Sequence, residues 1–334
     1  MTALASEQPL TRAPRTSSAE RWRDLRIVSR GDVVYRVALM LLALVLPLLL
    51  LAIVGGLVVG AWPALLQFHF GFLTRSTWDP VAGQFGAFPL IFGTLYSSLV
   101  AMAIAVPLAL GAAIFLTEFA PRWMRTPVGT LIELLAGVPS VIYGLWGLFV
   151  LVPLLRDVIW PIVKPVLRWL PFFSGPFYGP SVLAGGTILG IMVLPYVAAV
   201  SREVLKAVPP AQREAALALG ATRWEAVWTV VLPYGRAGIF GAVVLGLGRA
   251  LGETMAVTML IGNRHEISLS LVQPGYTLAA AIANEFAEAV SSMHLSALVY
   301  CGLVLFVITL LVNAAARALI WRVARGSAAG SAAV

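Results

Sequence analysis

The chain is short of the residues that most protein chemistry uses. It has one cysteine, Cys301, and three histidines, His69, His265 and His294. A single cysteine excludes a disulfide framework and a cysteine-based metal site. The histidines are too scattered for metal-ligand spacing and read as loop or interface residues. Charge is scarce as well: 11% of residues are charged, against about 25% in a soluble domain. With 60% hydrophobic residues and a mean hydropathy of +0.92, the chain reads as an all-α polytopic membrane protein. A net charge of +8 would suit a nucleic-acid binder, but the basic residues follow the edges of the apolar runs and only two of the 23 are lysine. No nucleic-acid partner is expected.

Catalytic signatures are also missing. There is no GxxxxGK[ST] phosphate loop, no HExxH, no GxSxG and no pair of catalytic carboxylates. The glycines at 246 and 248 lie inside an apolar run with no strand before them. The chain is expected to be no enzyme and to hold no cofactor or metal of its own.

Six long apolar runs are present. A bilayer-spanning helix needs about 20 such residues. Val37–Val59, Leu90–Thr117, Ser181–Ser201 and Leu295–Ala316 carry no charge, Val128–Leu155 carries only Glu133, and Ala237–Asn263 carries only Arg249 and Glu253. With the N-terminus inside, seventeen basic residues fall in inside segments and five outside. The positive-inside bias therefore predicts cytoplasmic termini. The predicted organisation is a basic tail at 1–36, disordered to about Arg21, and a first span with its outer segment at 37–89. A transmembrane domain at 90–320 and a cytoplasmic tail at 321–334 follow. The first span is too long for a cleavable signal. Asp157–Pro180, rich in Pro and aromatics, predicts a short amphipathic helix on the outer surface. Thr277–Val290 is too polar to span; it could cap the outer mouth, and reads more readily as a surface helix.

The segment 203–233 predicts two short cytoplasmic helices around a glycine elbow. Pro209-Pro210 suits a helix start, Gly220 can take the left-handed position after a helix, and Thr222 with Glu225 fits a capping box. The second helix is expected to end at Leu232-Pro233. Further on, Arg249 lies roughly 20 Å from either flank of its run at about 1.5 Å per residue, too far for easy snorkelling. Arg249 and Glu253 share a helix face. Gly248 and Gly252 would let another helix approach closely. The residues leave two readings open: an Arg–Glu pair that fixes packing, or a guanidinium that contacts a tetrahedral oxyanion. Glu133 reads as a carboxylate reaching the inner interface or pairing with an arginine.

Glu214-Ala215-Ala216, Gly220 and Leu232-Pro233 together resemble the EAA loop of ABC importer permeases, with Val230 where isoleucine is usual. The stretch Leu135–Gly147 resembles the third-span motif of phosphate-specific permeases. Ser76-Thr77-Trp78-Asp79-Pro80 and Gly252–Asn263 resemble the PstC-like branch rather than its PstA-like sister. The resemblance implies a type I importer permease (MetI-like) core over roughly Leu90–Leu319 with one extra N-terminal helix, in a bacterial plasma membrane. It implies a coupling role for Glu214, Ala215, Ala216 and Gly220 and a substrate-pathway role for Arg249 and Glu253. It also implies a sister permease, two ATP-binding subunits that hold ATP and Mg, and an extracytoplasmic phosphate-binding protein. Inorganic phosphate is the implied cargo and membrane lipid the surrounding medium. An importer of sulfate or molybdate, and a channel or secondary transporter, are the alternatives.

Overall fold

The computed structural model describes residues 30–167 and 169–331. The predicted disordered tail lies outside the described residues. Helix α1 (Arg30–Phe68) is followed by a single turn, α2 (Gly71–Thr74), and by α3 (Phe88–Ile114), which runs on through a π-turn at Phe115–Phe119. Helix α4 (Arg122–Ala136) precedes α5 (Ser140–Trp146), which continues through π-turns at Gly147–Leu151 and Leu154–Ile159 into α6 (Trp160–Leu167). Next come α7 (Val182–Lys206), α8 (Pro210–Ala218) and α9 (Arg223–Ala226), the last passing through a π-turn at Val227–Val231 into α10 (Leu232–Leu251). Helices α11 (Met255–Leu260), α12 (Leu278–Glu285) and α13 (Ser292–Ser331) complete the order. Among the described residues, six helical runs are long and apolar enough to cross a membrane: Val33–Phe68, Phe88–Phe119, Ser140–Leu167, Val182–Lys206, Arg223–Leu251 and Ser292–Leu319. Of these residues, those up to Gly56 form one compact unit and those from Leu57 form a second.

Within the second unit, α3 and α7 form the centre. Ala101, Ala105, Ala109 and Ala113 recur every fourth residue on α3, and all four are fully buried. On α7, Gly186 and Gly190 have the same spacing; a Cβ on Gly190 would lie 3.1 Å from the Ala101 carbonyl oxygen. Small residues let the backbones come together where lipid supplies no hydrophobic drive between helices. A separate cluster joins Phe72, Phe85 and Leu90 to Leu278, Tyr300 and Cys301. There the Ser296 hydroxyl donates to the Gly60 carbonyl (2.8 Å) and accepts from the Ala64 amide (3.1 Å), so it sits inside the α1 ladder beside Pro63.

Several sequence expectations are corrected. The third span is Ser140–Leu167, not Val128–Leu155. The shift follows from Gly137-Val138-Pro139: proline lacks the amide that would continue α4, and it pushes the residue before it out of helical space. The carbonyls freed there are satisfied by phenols, since Tyr143 donates to Leu135 and Tyr196 to Ala136, both at 2.8 Å. Glu133 consequently lies on α4, outside the span, and pairs with Arg202 at 2.5 Å. The surface helix expected within Asp157–Pro180 is replaced by α6, a continuation of the span, followed by a short turn at Pro171–Phe173. The helix expected to end at Leu232-Pro233 does not end there. The π-turn passes the chain into α10, where Pro233 occupies the first turn. The expected surface helix at Thr277–Val290 is instead packed inside: Leu278, Ala279, Ala280 and Ala281 are all buried. Its run of small residues fits a tight site that a polarity count overlooks.

Candidate functional site

The glycine elbow is held by backbone geometry. Pro209 precedes α8 in an extended conformation and Pro210 starts it, where a missing amide costs nothing. At the far end, the Ala221 amide bonds to the Ala216 carbonyl (3.1 Å) and the Gly220 amide to Leu217 (3.0 Å), which is a Schellman closure. It requires the left-handed φ of +89° at Gly220. Glu225 accepts from the Thr222 amide at 2.7 Å while the Thr222 hydroxyl accepts from the Glu225 amide at 3.3 Å, so the capping box forms.

The elbow presents an apolar outer face. Glu214, Ala215 and Gly220 are exposed and Ala216 is buried. Leu219 is 90% exposed, and Trp224 and Trp228 are more than half exposed, whereas Val227 and Val231 are buried. Trp224, Val227, Trp228 and Val231 fall at helical spacing, and only part of that stripe packs on the chain itself. One residue that the sequence did not single out anchors the elbow. Arg213 donates two hydrogen bonds to Glu118, at 3.0 and 3.2 Å, and also bonds the carbonyls of Leu205 and Val208. Helix α8 is thus tied to the end of α3 and of α7.

Arg249 and Glu253 are joined by an ion pair, but not along a continuous helix. Helix α10 ends at Leu251, Gly252 closes it, and α11 begins at Met255, so Glu253 lies in the break. Its second oxygen accepts from the Ala256 amide at 3.4 Å. Glu253 therefore links the end of α10 to the start of α11. The carboxylate is buried, with 3% of its side chain exposed, while Arg249 is 37% exposed. A Cβ on Gly241 or Gly248 would meet nothing within 4 Å, so the close approach expected at Gly248 and Gly252 is not made among the described residues. Gly246 does make one, against Val193 and Val197 on α7. Arg249, partly exposed, thus lies on a smooth face that the described residues leave uncovered.

The two stretches 135–147 and 252–263 meet in space. Gly144 faces Ala256 and Met259, and Gly147 faces Leu260. The histidines, scattered in sequence, also converge. Glu285 accepts from Trp78 (2.8 Å) and Tyr276 (3.2 Å) and bonds the His294 ring (3.1 Å), with His265 at 3.6 Å. Burial pushes His265 below the ordinary histidine range, more than the Glu285 charge raises it. Burial likewise drives the Tyr276 phenol upward.

Comparison with known proteins adds a family. Residues 105–325 match the model of the binding-protein-dependent transport system inner membrane component. The chain is 44% identical over 327 residues to the phosphate transport system permease protein PstC of Mesorhizobium japonicum, covering 97% of this chain and 98% of the relative. It is 48% identical over 284 residues to the protein of the same name from Haemophilus influenzae, covering 84% and 90%. Among solved structures, a bacterial ABC transporter involved in the import of the acidic polysaccharide alginate superposes with a TM-score of 0.51 at 19% identity, covering 89% of this chain and 98% of that one.

Proposed function

Because the chain belongs to the family of binding-protein-dependent transport system inner membrane components, we propose that it is the permease subunit of an ATP-driven phosphate importer. Its fold is the six-span α-helical membrane fold of type I ABC importer permeases (MetI-like), with a further N-terminal helix. The observation that carries the cargo is the similarity, along nearly the whole chain, to relatives named for phosphate transport. On this reading the apolar face of the α8–α9 elbow, with Glu214, Ala215, Ala216 and Gly220, docks an ATP-binding subunit. Two such subunits hold ATP and Mg and perform the hydrolysis, so this chain is itself no enzyme. The uncovered face of α10 meets a sister permease. Arg249 stands on that face beside the pathway as a forked donor for a tetrahedral anion. Glu253 holds Arg249 between visits of the anion and lessens trapping of a divalent one. An extracytoplasmic binding protein delivers phosphate, and both termini face the cytoplasm of a bacterial plasma membrane.

The test is ATP-dependent uptake by the complete complex in proteoliposomes, with phosphate, sulfate and molybdate as cargo. Arg249→Ala and Arg249→Lys should lose phosphate uptake while the subunits still co-purify. Normal phosphate uptake by Arg249→Ala would remove the arginine from the pathway. Uptake of sulfate or molybdate in place of phosphate would change the cargo, and flux indifferent to ATP would make the chain a channel or secondary transporter.

A further inference from the structure

A cavity of about 430 Å³ lies between α4, α7 and the end of α3, on the side of the molecule that carries the α8–α9 elbow. Arg125, Arg202 and Lys206 line it, opposed by one carboxylate, Glu133. Glu133 is engaged by Arg202 at 2.5 Å, and Lys206 is engaged by Glu203 at 2.8 Å. Arg125 has no acidic partner among the described residues; its Nε donates to the Ala120 carbonyl at 2.8 Å, and its two terminal nitrogens make no protein hydrogen bond. Thr126 and Thr130 sit one turn apart on the same wall, with hydroxyl protons that no acceptor takes among the described residues. An adjoining cleft shares Thr117, Arg125 and Lys206 and adds Arg213, Arg223 and Glu118. Arg223, like Arg125, has no carboxylate within ion-pair distance among the described residues.

The arrangement is built for approach from the membrane interface. The Arg202 guanidinium is laid across Gly129, where any Cβ would overlap it. Helix α4 turns Trp123, Leu131 and Leu134 outward while its polar side faces the cavity, the pattern of a helix lying in the interfacial plane. Guanidinium, ammonium and hydroxyl donors around one space match a tetrahedral oxyanion, and basic pockets between membrane helices take phosphate headgroups.

We propose that this pocket binds a phosphate group, supplied by an anionic phospholipid or by inorganic phosphate. The bound group would join Arg125 on α4 to Lys206 on α7, three residues before the chain turns into the elbow at Pro209. This site is distinct from Arg249, and its test does not depend on the identity of the cargo.

The experiment uses the complete transporter in two arms. In one, nanodiscs with and without phosphatidylglycerol in a phosphatidylcholine background are compared, and retained lipid is counted by native mass spectrometry. In the other, inorganic phosphate is titrated in pure phosphatidylcholine discs on the Arg249→Ala background, and thermal shift is read. The proposal expects a positive result in one arm at least, weakened about tenfold by Arg125→Gln with Lys206→Gln, the scale of a lost charge-assisted hydrogen bond. Thr126→Val with Thr130→Val, two exposed positions, gives the same direction if the charge variant does not assemble. Retention in the first arm only names a lipid source; a shift in the second only names free phosphate. No response in either arm, or an undiminished response in both variants, overturns the proposal. So does binding that appears only after the ATP-binding subunits are stripped away, because a protein then fills the pocket.

Discussion

Gly144 lies directly against the backbone of Ala256: a Cβ at Gly144 would stand 3.2 Å from the Ala256 Cα and 2.6 Å from the Met259 sulfur. Helices α5 and α11 therefore approach as closely as their main chains allow. Gly144→Val should destabilise the assembled complex by about 1–3 kcal/mol through overpacking. The Tm of the purified complex reports it. Met259→Ala should restore part of the loss and no more, because the sulfur can be removed and the Ala256 backbone cannot. A Gly144→Val complex with unchanged Tm would mean that α5 and α11 are free to separate.

Arg213 and Glu118 form the tie between α8 and the end of α3 at 3.0 Å, with side chains only 22% and 15% exposed. Removing one partner leaves the other part-buried and uncompensated. Arg213→Gln should loosen α8 and lower phosphate taken up per ATP hydrolysed, by about tenfold if one charged hydrogen bond is lost. Adding Glu118→Gln should return part of that loss. A double-mutant cycle with no coupling would show that Arg213 acts through the carbonyls of Leu205 and Val208 alone.

Nothing lies within 4 Å of the position a Cβ would take on Gly220, so only its backbone conformation restricts substitution. A left-handed φ costs an ordinary residue roughly 1–2 kcal/mol. Gly220→Val should weaken association with the ATP-binding subunit, measured as Kd, by about tenfold or more. Gly220→Asn should be milder, since asparagine tolerates that conformation. Equal affinities for both variants would contradict this.

The cluster around Glu285 gives a dependence on pH. Burial holds His265 below its usual range. As pH falls through the unfolded value of about 6.5, the unfolded chain binds the proton before the folded one does. Stability present above that value should decline toward the folded pKa and level off beneath it. Thermal unfolding from pH 8 to pH 5 should show a slope that His265→Gln flattens. A slope unchanged in that variant would assign the dependence to other groups.

Much of the molecule was legible in its sequence because the signals were local. The apolar runs, Gly220 after α8 and the Thr222–Glu225 box each depend on residues a few positions apart. The third span was misplaced because the apolar stretch from Val128 to Leu155 hides a break at Pro139, which composition does not weigh. The fifth run concealed its interruption for the same reason: Gly252-Glu253-Thr254 is too short to alter the hydropathy around it. The cluster around Glu285 was invisible because Trp78, His265 and His294 meet only through tertiary packing. The Glu118–Arg213 tie, spanning 95 positions, was hidden likewise.

The helical run from Arg223 to Leu251, continuous through its π-turn at Val227–Val231, has the form of a lever arm. It places the capping box of the elbow and the Arg249 guanidinium on one helical rod of about 40 Å. A tilt of about 5° pivoted at one end would carry the other roughly 3 Å over that length, as far as a hydrogen bond is long. On the proposed function, displacement of the elbow would then move Arg249 itself, with no side-chain relay between them. Gly252, at the far end of the rod, is where that rotation would be absorbed before it reached α11.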